Sequence, residues 1–307
     1  SLAASFSKAI EAHFSRSPSG ETDGYQAARF PIYLAIEQAQ KRLARRLKAL
    51  EKDAAKLEDP TVYREKGEAI LAMSYQIKPR QSSLTVDWTG TDPLQIHLDP
   101  KLSASENAQR YFSRYQKAKR AADIIPEQQT SVQLELDYLN QLALDLDMAE
   151  ARPDIDAVAA ALVKAGFSKS FKKQTQKTIQ KKTTPAASQP RRFISPDGFV
   201  ILVGRNAEQN HRLTFGQAKP DDIWLHARGM PGSHVVISAP DTNPPKSTIE
   251  WAAGIAAYYS KAKKAGRAIV SYTRKKYVRP IKGAPPGMVR ISNESTVRVA
   301  PFTPNES

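Results

Sequence analysis

The sequence predicts an α+β protein. A long antiparallel coiled-coil arm carries a small α/β tip domain, and a compact, mostly antiparallel α+β domain follows. Three observations carry this expectation. Apolar residues recur at spacings of three and four along two long stretches, the mark of helical seams. A short stretch between them changes to strand-like alternation. Beyond residue 193, strand patterns and turn signals recur closely around one helix pattern. With 307 residues, about two domains are expected.

The first arm helix is expected over about 25–58, with the seam Ile36, Ala39, Leu43, Leu47, Leu50, Ala54, Leu57. Asp59-Pro60 ends it. The second is expected over about 105–150, with the seam Ala108, Tyr111, Tyr115, Ala118, Ala122, Ile125, Gln129, Val132, Leu136, Leu139, Ala143, Leu146, and a kink at Pro126. Pairing of about 27 residues would give an arm of roughly 40 Å. The insert 60–104 forms the tip: a helix over 61–75 and strands at 83–88 and 94–98. A short helix is expected over 3–15 and another over 154–165, the latter with Asp154 as N-cap and Gly166 as stop. The coiled-coil and middle region thus occupies 1–166, a basic linker 167–192, and the second folded domain 193–301.

In that domain, strands are predicted near 193–195 and 199–203 around the turn Pro196-Asp197-Gly198. A polar loop over 204–210 precedes a helix over 212–218. The capping box Ser247-Thr248-Ile249-Glu250 opens a helix over 248–264. Strands close the domain near 267–272, 277–279, 288–292 and 296–299.

The net charge is +15 and is unevenly spread: −2 over residues 1–156, +9 over 157–192 and +8 over 193–307. A basic module joined to a near-neutral one points to a polyanionic partner, RNA above all. The linker is a plain spacer or a phosphate-binding strand. There are no cysteines, which excludes a disulfide scaffold and is compatible with a cytoplasmic setting. No run of about 18 apolar residues exists, so no membrane span is expected.

The stretch from Asp221 to Ile237 reads as two strands around Met230-Pro231-Gly232, with Pro231 and Gly232 shaping the turn. Two of the five histidines, His226 and His234, sit here beside Trp224, Asp221, Asp222 and Arg228. A metal site of the two histidines with Asp221 or Asp222 matches no standard spacing. A hydrolase with His226 as base and Ser233 as nucleophile lacks a nucleophile elbow. A binding surface fits better: Arg205, Asn206, Asn210 and Arg228, with Arg274, Lys275, Lys276, Arg279 and Lys282, offer cations and amides for RNA. Trp224, His226 and Tyr277 offer flat surfaces, Trp224 serving equally well in the core. Asp222 and His234 are expected to shape the turn, and His226 and Arg228 to face RNA. No metal, cofactor or catalytic residue is expected.

Gly204-Arg205-Asn206…Gln209-Asn210, Asp222-Ile223-Trp224-Leu225-His226, Pro231-Gly232-Ser233-His234-Val235-Val236-Ile237, Ala252-Ala253…Ala256-Ala257-Tyr258-Tyr259-Ser260-Lys261-Ala262-Lys263 and Pro285-Pro286-Gly287…Val289 together resemble the RNA-binding (R) domain of the NFACT family. Ser105–Lys119 resembles the start of that family's second coiled-coil helix. His211 stands where the family often has Asp. The family includes ribosome-quality-control factors of the RqcH and NEMF type, some bacterial members being labelled fibronectin-binding protein A. The resemblance implies a non-enzymatic factor that binds the large ribosomal subunit, with the arm toward the stalk base and the R domain on rRNA or tRNA. It would help recruit alanyl-tRNA for untemplated C-terminal tailing of stalled chains. It also implies a longer protein, with an NFACT-N domain and a helix-hairpin-helix segment preceding the arm. Two alternatives remain: a fibronectin-binding surface adhesin, and a metal- or nucleophile-dependent enzyme centred on 221–237.

Overall fold

A computed structural model describes residues 25–87, 93–168, 189–239 and 243–303. The expected helix over 3–15 and most of the basic linker lie outside the described residues. The chain divides into two compact units, one gathering Gln40–Tyr138 with Gly283–Pro285 and the other the segments up to Ala39, Leu139–Lys282 and from Pro286 onward.

Two long helices shape the first half. Helix α1 spans Gln26–Ala54, and the 44-residue helix α3 spans Ala104–Asp147, passing Pro126 without interruption. Ile36, Ala39 and Leu43 of the first seam are buried, as are Ala108, Tyr111, Val132, Leu139 and Leu146 of the second. Between these helices lie α2 (Pro60–Ala72) and the strands β1 (Ser83–Val86) and β2 (Leu94–His97), which pair antiparallel. Asp59 caps α2 by accepting from the Thr61 N–H at 2.9 Å, with Pro60 at a position where no N–H is needed. Ala69, Ile70, Leu84, Ile96 and Tyr111 form the core of this small unit. Gly67 lets α2 and α3 approach closely, since a Cβ there would stand 2.8 Å from the Phe112 ring. Helix α3 starts one residue before the expected Ser105, because Ser103 and Glu106 form a reciprocal capping box.

Helix α4 (Arg152–Lys164) begins two residues before Asp154. Asp154 is therefore not the N-cap; its carboxylate reaches back to the backbone N–H groups of Glu150 and Ala151. Gly166 ends the helix with φ +78°, as its position predicts.

The second half is a six-stranded, wholly antiparallel sheet in the order β10-β7-β5-β6-β4-β3. Its strands are β3 (Arg191–Ile194), β4 (Val200–Val203), β5 (Ile223–Ala227), β6 (Val235–Ile237), β7 (Ala268–Arg274) and β10 (Ser295–Val299). A separate two-stranded ribbon pairs β8 (Val278–Pro280) with β9 (Val289–Ile291). Strand alternation sends one set of side chains to each face. Ile201, Val203, Ile223, Leu225, Val235, Ile237 and Val270 meet helix α6 (Lys246–Tyr258) on one face. The alanines of α6 at 252, 253, 256 and 257 are buried and keep the helix close to the sheet. Trp224 and Val236 point to the other face, under Leu213 and Val278.

Several local expectations are corrected. The polar loop 204–210 is half helical, since α5 spans Ala207–Arg212, and the helix expected over 212–218 is present as a π-helical continuation over Leu213–Gln217. The capping box at Ser247 is not used; α6 starts at Lys246, and the Ser247 and Thr248 hydroxyls donate to Asp197 at 2.8 and 2.5 Å. The linker ends sooner than 192, because Arg191 and Arg192 already belong to β3.

Candidate nucleic-acid interface

Strands β5 and β6 pair as the alternation predicts, with Ile223 opposite Ile237 and Leu225 opposite Val235. Their connection differs from expectation. The left-handed residue is Gly229, φ +70°, two positions before Pro231. Gly232 is extended and bridges to Ser260 at the end of α6. It must be small for a different reason: a Cβ would stand 3.0 Å from the Ser260 Cβ. Pro231 accepts from the Lys261 N–H at 3.0 Å, and the Ser233 N–H donates to the Tyr259 carbonyl at 2.8 Å. The loop is thus held by the helix it faces.

The histidines and Trp224 form one aromatic group. The Trp224 and His226 rings stack at 5.7 Å and 19°, and His234 stands edge-on to both at 5.0 and 5.5 Å. Trp224 is 1 % exposed, so of its two readings the structure selects core. Burial pushes His226 down to about 4, against a smaller opposing hydrogen bond with the Gly232 backbone, so the ring is neutral at pH 7. His234 falls further still, through burial and the neighbouring His226. Its Nδ1 pairs with the Thr214 hydroxyl at 2.7 Å. His226 keeps a partly exposed edge, which can offer a flat neutral surface but no cation to a phosphate.

The two remaining polar anchors act beside the loop. Asp222 accepts from the Lys219 and Ala239 N–H groups at 2.8 and 2.9 Å, tying the base of the hairpin rather than its tip. Asn210, expected to face RNA, is 2 % exposed. It accepts from the His234 N–H at 3.0 Å and donates to the Gly232 carbonyl. Gly204 makes room for it, since a Cβ there would stand 2.1 Å from the Asn210 carbonyl oxygen. Asn206 caps α5 by accepting from the Gln209 N–H at 3.0 Å. Both amides are committed to shaping the domain.

A row of acceptors from the end of α3 completes this arrangement and was not visible in the seam pattern. Gln141 accepts from the Gly232 N–H at 2.9 Å and donates to Asp145 at 2.8 Å. Asp145 accepts from the Ala207 N–H at the start of α5, 2.9 Å away. Burial raises the Asp145 carboxyl to about 7, against the two hydrogen bonds that favour its ionised form. Glu150 then pairs with Arg191 at 2.7 Å and Arg205 at 2.8 Å. Partial burial opposes ionisation of Glu150, but hydrogen bonding and charge from Arg191, then Arg205, outweigh it and hold its pKa below the ordinary value. The Arg191 guanidinium also covers the Tyr259 ring at 4.5 Å. Arg205, expected to meet RNA, is mostly buried in this group.

The other predicted cations lie further along the sheet. Arg274 and Lys276 share Asp221, at 3.3 and 2.8 Å. The Lys276 hydrogen bond is the first cause holding the Asp221 carboxyl below its usual range. Lys275 is half-buried, 6.0 Å from the Phe215 ring centroid. Arg228 is exposed and pairs with Glu294 at 3.0 Å. Arg279 and Lys282 are exposed. The structure therefore does not gather the predicted site residues into one patch: some build the hairpin's surroundings and others lie outside.

The enzymatic alternatives gain no geometry. The Ser233 hydroxyl donates to the Gly204 carbonyl at 2.6 Å, while His226 bonds to the Gly232 backbone. Among the described residues, no group of three or more His, Asp or Glu side chains could hold a metal ion. No helix among them is long and apolar enough to cross a membrane.

Comparison with known proteins adds an independent line. Residues 2–182 match the family model for NFACT N-terminal and middle domains, and residues 189–293 that for the NFACT protein RNA binding domain. The chain is 37% identical over 269 residues to the Rqc2 homolog RqcH of Bacillus subtilis, covering 87% of this chain and 46% of that protein. It is 34% identical over 270 residues to the Rqc2 homolog RqcH of Streptococcus suis, again covering 87% and 46%. It thus spans about half the length of the curated relatives it matches. Among solved structures, the C-terminal part of the fibronectin/fibrinogen-binding protein from Streptococcus suis superposes with a TM-score of 0.68 at 28% identity, covering 90% of this chain and 94% of that one. The two family matches, in the order of the two halves described above, show that this chain belongs to the NFACT family.

Proposed function

We propose that this chain is the middle and RNA-binding part of a ribosome-quality-control factor that binds RNA through the outer surface of its C-terminal domain. One observation carries the reading: the stretch 189–293, matched by the family's RNA-binding domain, carries 17 Lys and Arg against 6 Asp and Glu, a net +11. The ribosomal setting comes from a relative in Drosophila melanogaster named as a ribosome quality control complex subunit NEMF homolog, 27% identical over 179 residues. In this reading α1 and α3 form the coiled-coil arm, with the small unit at its tip, and the arm reaches the large ribosomal subunit near its stalk base. The basic domain lies on rRNA or tRNA and helps recruit alanyl-tRNA for tailing. The peptide bonds are then made by the ribosome, with this chain as a binding partner and not a catalyst.

Electrostatic contacts to phosphates give affinities that fall linearly with salt on a logarithmic scale. The test is binding of the full chain to isolated large subunits carrying peptidyl-tRNA, and to deacylated tRNA, over a salt series. Binding that weakens steeply with salt is expected; absence of binding to both at low salt overturns the reading. The Streptococcus suis protein named for fibronectin and fibrinogen suggests a second reading, adhesion. Salt-insensitive binding of fibronectin without RNA binding would favour it.

A further inference from the structure

The ribbon β8–β9 holds an arrangement that folding does not require. Its register places Val278 opposite Ile291, Arg279 opposite Arg290, and Pro280 opposite Val289. Val278, Val289 and Ile291 pack over the sheet beside Trp224 and Leu213. Side chains alternate along a strand, so seating those residues inward turns both arginines outward. Directly opposite residues of an antiparallel pair bring their Cβ atoms to about 4.5–5.5 Å, where like charges repel.

Among the described residues, no carboxylate pairs with either arginine. Residues 275–293 contain five Lys and Arg and no Asp or Glu. The two flanking carboxylates are engaged elsewhere: Asp221 with Arg274 and Lys276, and Glu294 with Arg228. Both Arg279 and Arg290 are exposed, and among the described residues neither has a carboxylate partner. Lys282 stands exposed just beyond β8. Two guanidinium forks held side by side by a packed ribbon suit a tetrahedral anion with several acceptor oxygens.

We infer that Arg279 and Arg290 form a cross-strand clamp for the phosphodiester backbone of RNA, fixing how the domain sits on its RNA. The inference rests on the RNA-binding reading and names the group that anchors it. Phosphate contacts set register and orientation without reading sequence. The clamp is thus a positioning device, separate from the aromatic group of the hairpin.

The test is filter binding of the full chain to bulk deacylated tRNA over a salt series, comparing wild type with Arg279→Ala/Arg290→Ala. Loss of two phosphate contacts is expected to lower the slope of log affinity against log salt by about 1 to 2, and low-salt affinity by about tenfold or more. Arg279→Lys/Arg290→Lys keeps the charge but not the forks, and is expected to keep most of the slope while losing part of the affinity. The matched control is Arg267→Ala/Arg298→Ala, which removes two exposed arginines at the β7–β10 edge of the sheet. Thermal unfolding of the alanine pair is expected at or above the wild-type midpoint, since its charges repel and hold no partner. A slope unchanged in the ribbon variant, or reduced equally in the control, overturns the clamp while leaving RNA binding intact. Absence of tRNA binding by the wild type overturns the clamp together with the reading beneath it.

Discussion

The hairpin β5–β6 and the ribbon β8–β9 are both antiparallel pairs in the same domain, and they use their polar residues in opposite ways. The hairpin concentrates histidines, acids and a tryptophan, yet nearly all of them face inward and bond to one another or to the backbone. The ribbon looks plain in sequence, yet it presents two arginines outward with no partner among the described residues. The difference teaches that density of reactive residue types marks a place where the fold is specified, whereas uncompensated charge marks a place left open for something else. Buried polar groups cost stability unless bonded, so most of these have partners, the buried Trp224 indole N–H being an exception. Exposed cations carry no such demand.

The largest expected effect tests the inward half of that contrast. Trp224→Ala removes the residue that fills the space between sheet and ribbon, and is expected to cost about 3–5 kcal/mol. Urea unfolding of the full chain measures it; a loss below about 1 kcal/mol would mean that the aromatic group is not core and the contrast fails.

Next come two titrations of opposite sign. The Asp145 carboxyl is raised to about 7 in the fold, so the native state holds a proton that the unfolded chain releases near the ordinary value of 3.8. Stability from this group is present below that value and declines as pH rises toward 7. His226 is depressed to about 4 from 6.5, so the unfolded chain takes up a proton first as pH falls. Its contribution is present above 6.5 and declines as pH falls toward 4. At full extent these are on the order of 4 kcal/mol for Asp145 and 3 kcal/mol for His226. Asp145→Asn is expected to remove the decline toward pH 7, and His226→Gln the decline toward pH 4, read as unfolding free energy between pH 4 and 8. Parallel pH profiles for wild type and either variant would show that group to be solvated.

The smallest effect sharpens the outward half. Arg228 pairs with Glu294 on the surface, 56% exposed on the arginine side. Exposed pairs contribute about 0–1 kcal/mol, so Arg228→Ala is expected to leave unfolding nearly unchanged. Because its charge is already met by Glu294, its removal should weaken tRNA binding less than loss of Arg279 or Arg290. Equal weakening in the same filter assay would merge the two surfaces and remove the distinction.

Much of the architecture was legible. The two long helices, the tip strands and the closing strands follow from periodicity, because burial of one face imposes a repeat on the chain, although α1 ends at Ala54 rather than 58 and Ala122 of the second seam is exposed. Ile223-Trp224-Leu225-His226 is strand for the same reason. The site was only partly legible. Asn210 reads as an exposed amide until Gly204 and His234 are seen on either side of it. Arg191 reads as linker charge, although Tyr259 and Glu150 enclose it. Neither partnership leaves a local pattern, since His234 lies 24 positions from Asn210, and Glu150 and Tyr259 lie 41 and 68 from Arg191.

By itself the sequence determined which stretches are helix or strand, where the basic charge lies and to which family the chain belongs. These depend on local spacing, composition and ordered motifs. Only the tertiary structure decided that Gln141 and Asp145 at the end of α3, and Glu150 just beyond it, meet Gly232, Ala207, Arg191 and Arg205. It also decided that Arg279 stands opposite Arg290. Register and long-range contact arise from packing whole elements together: a shift of one residue in the ribbon would turn the same arginines inward, and no local pattern records that choice.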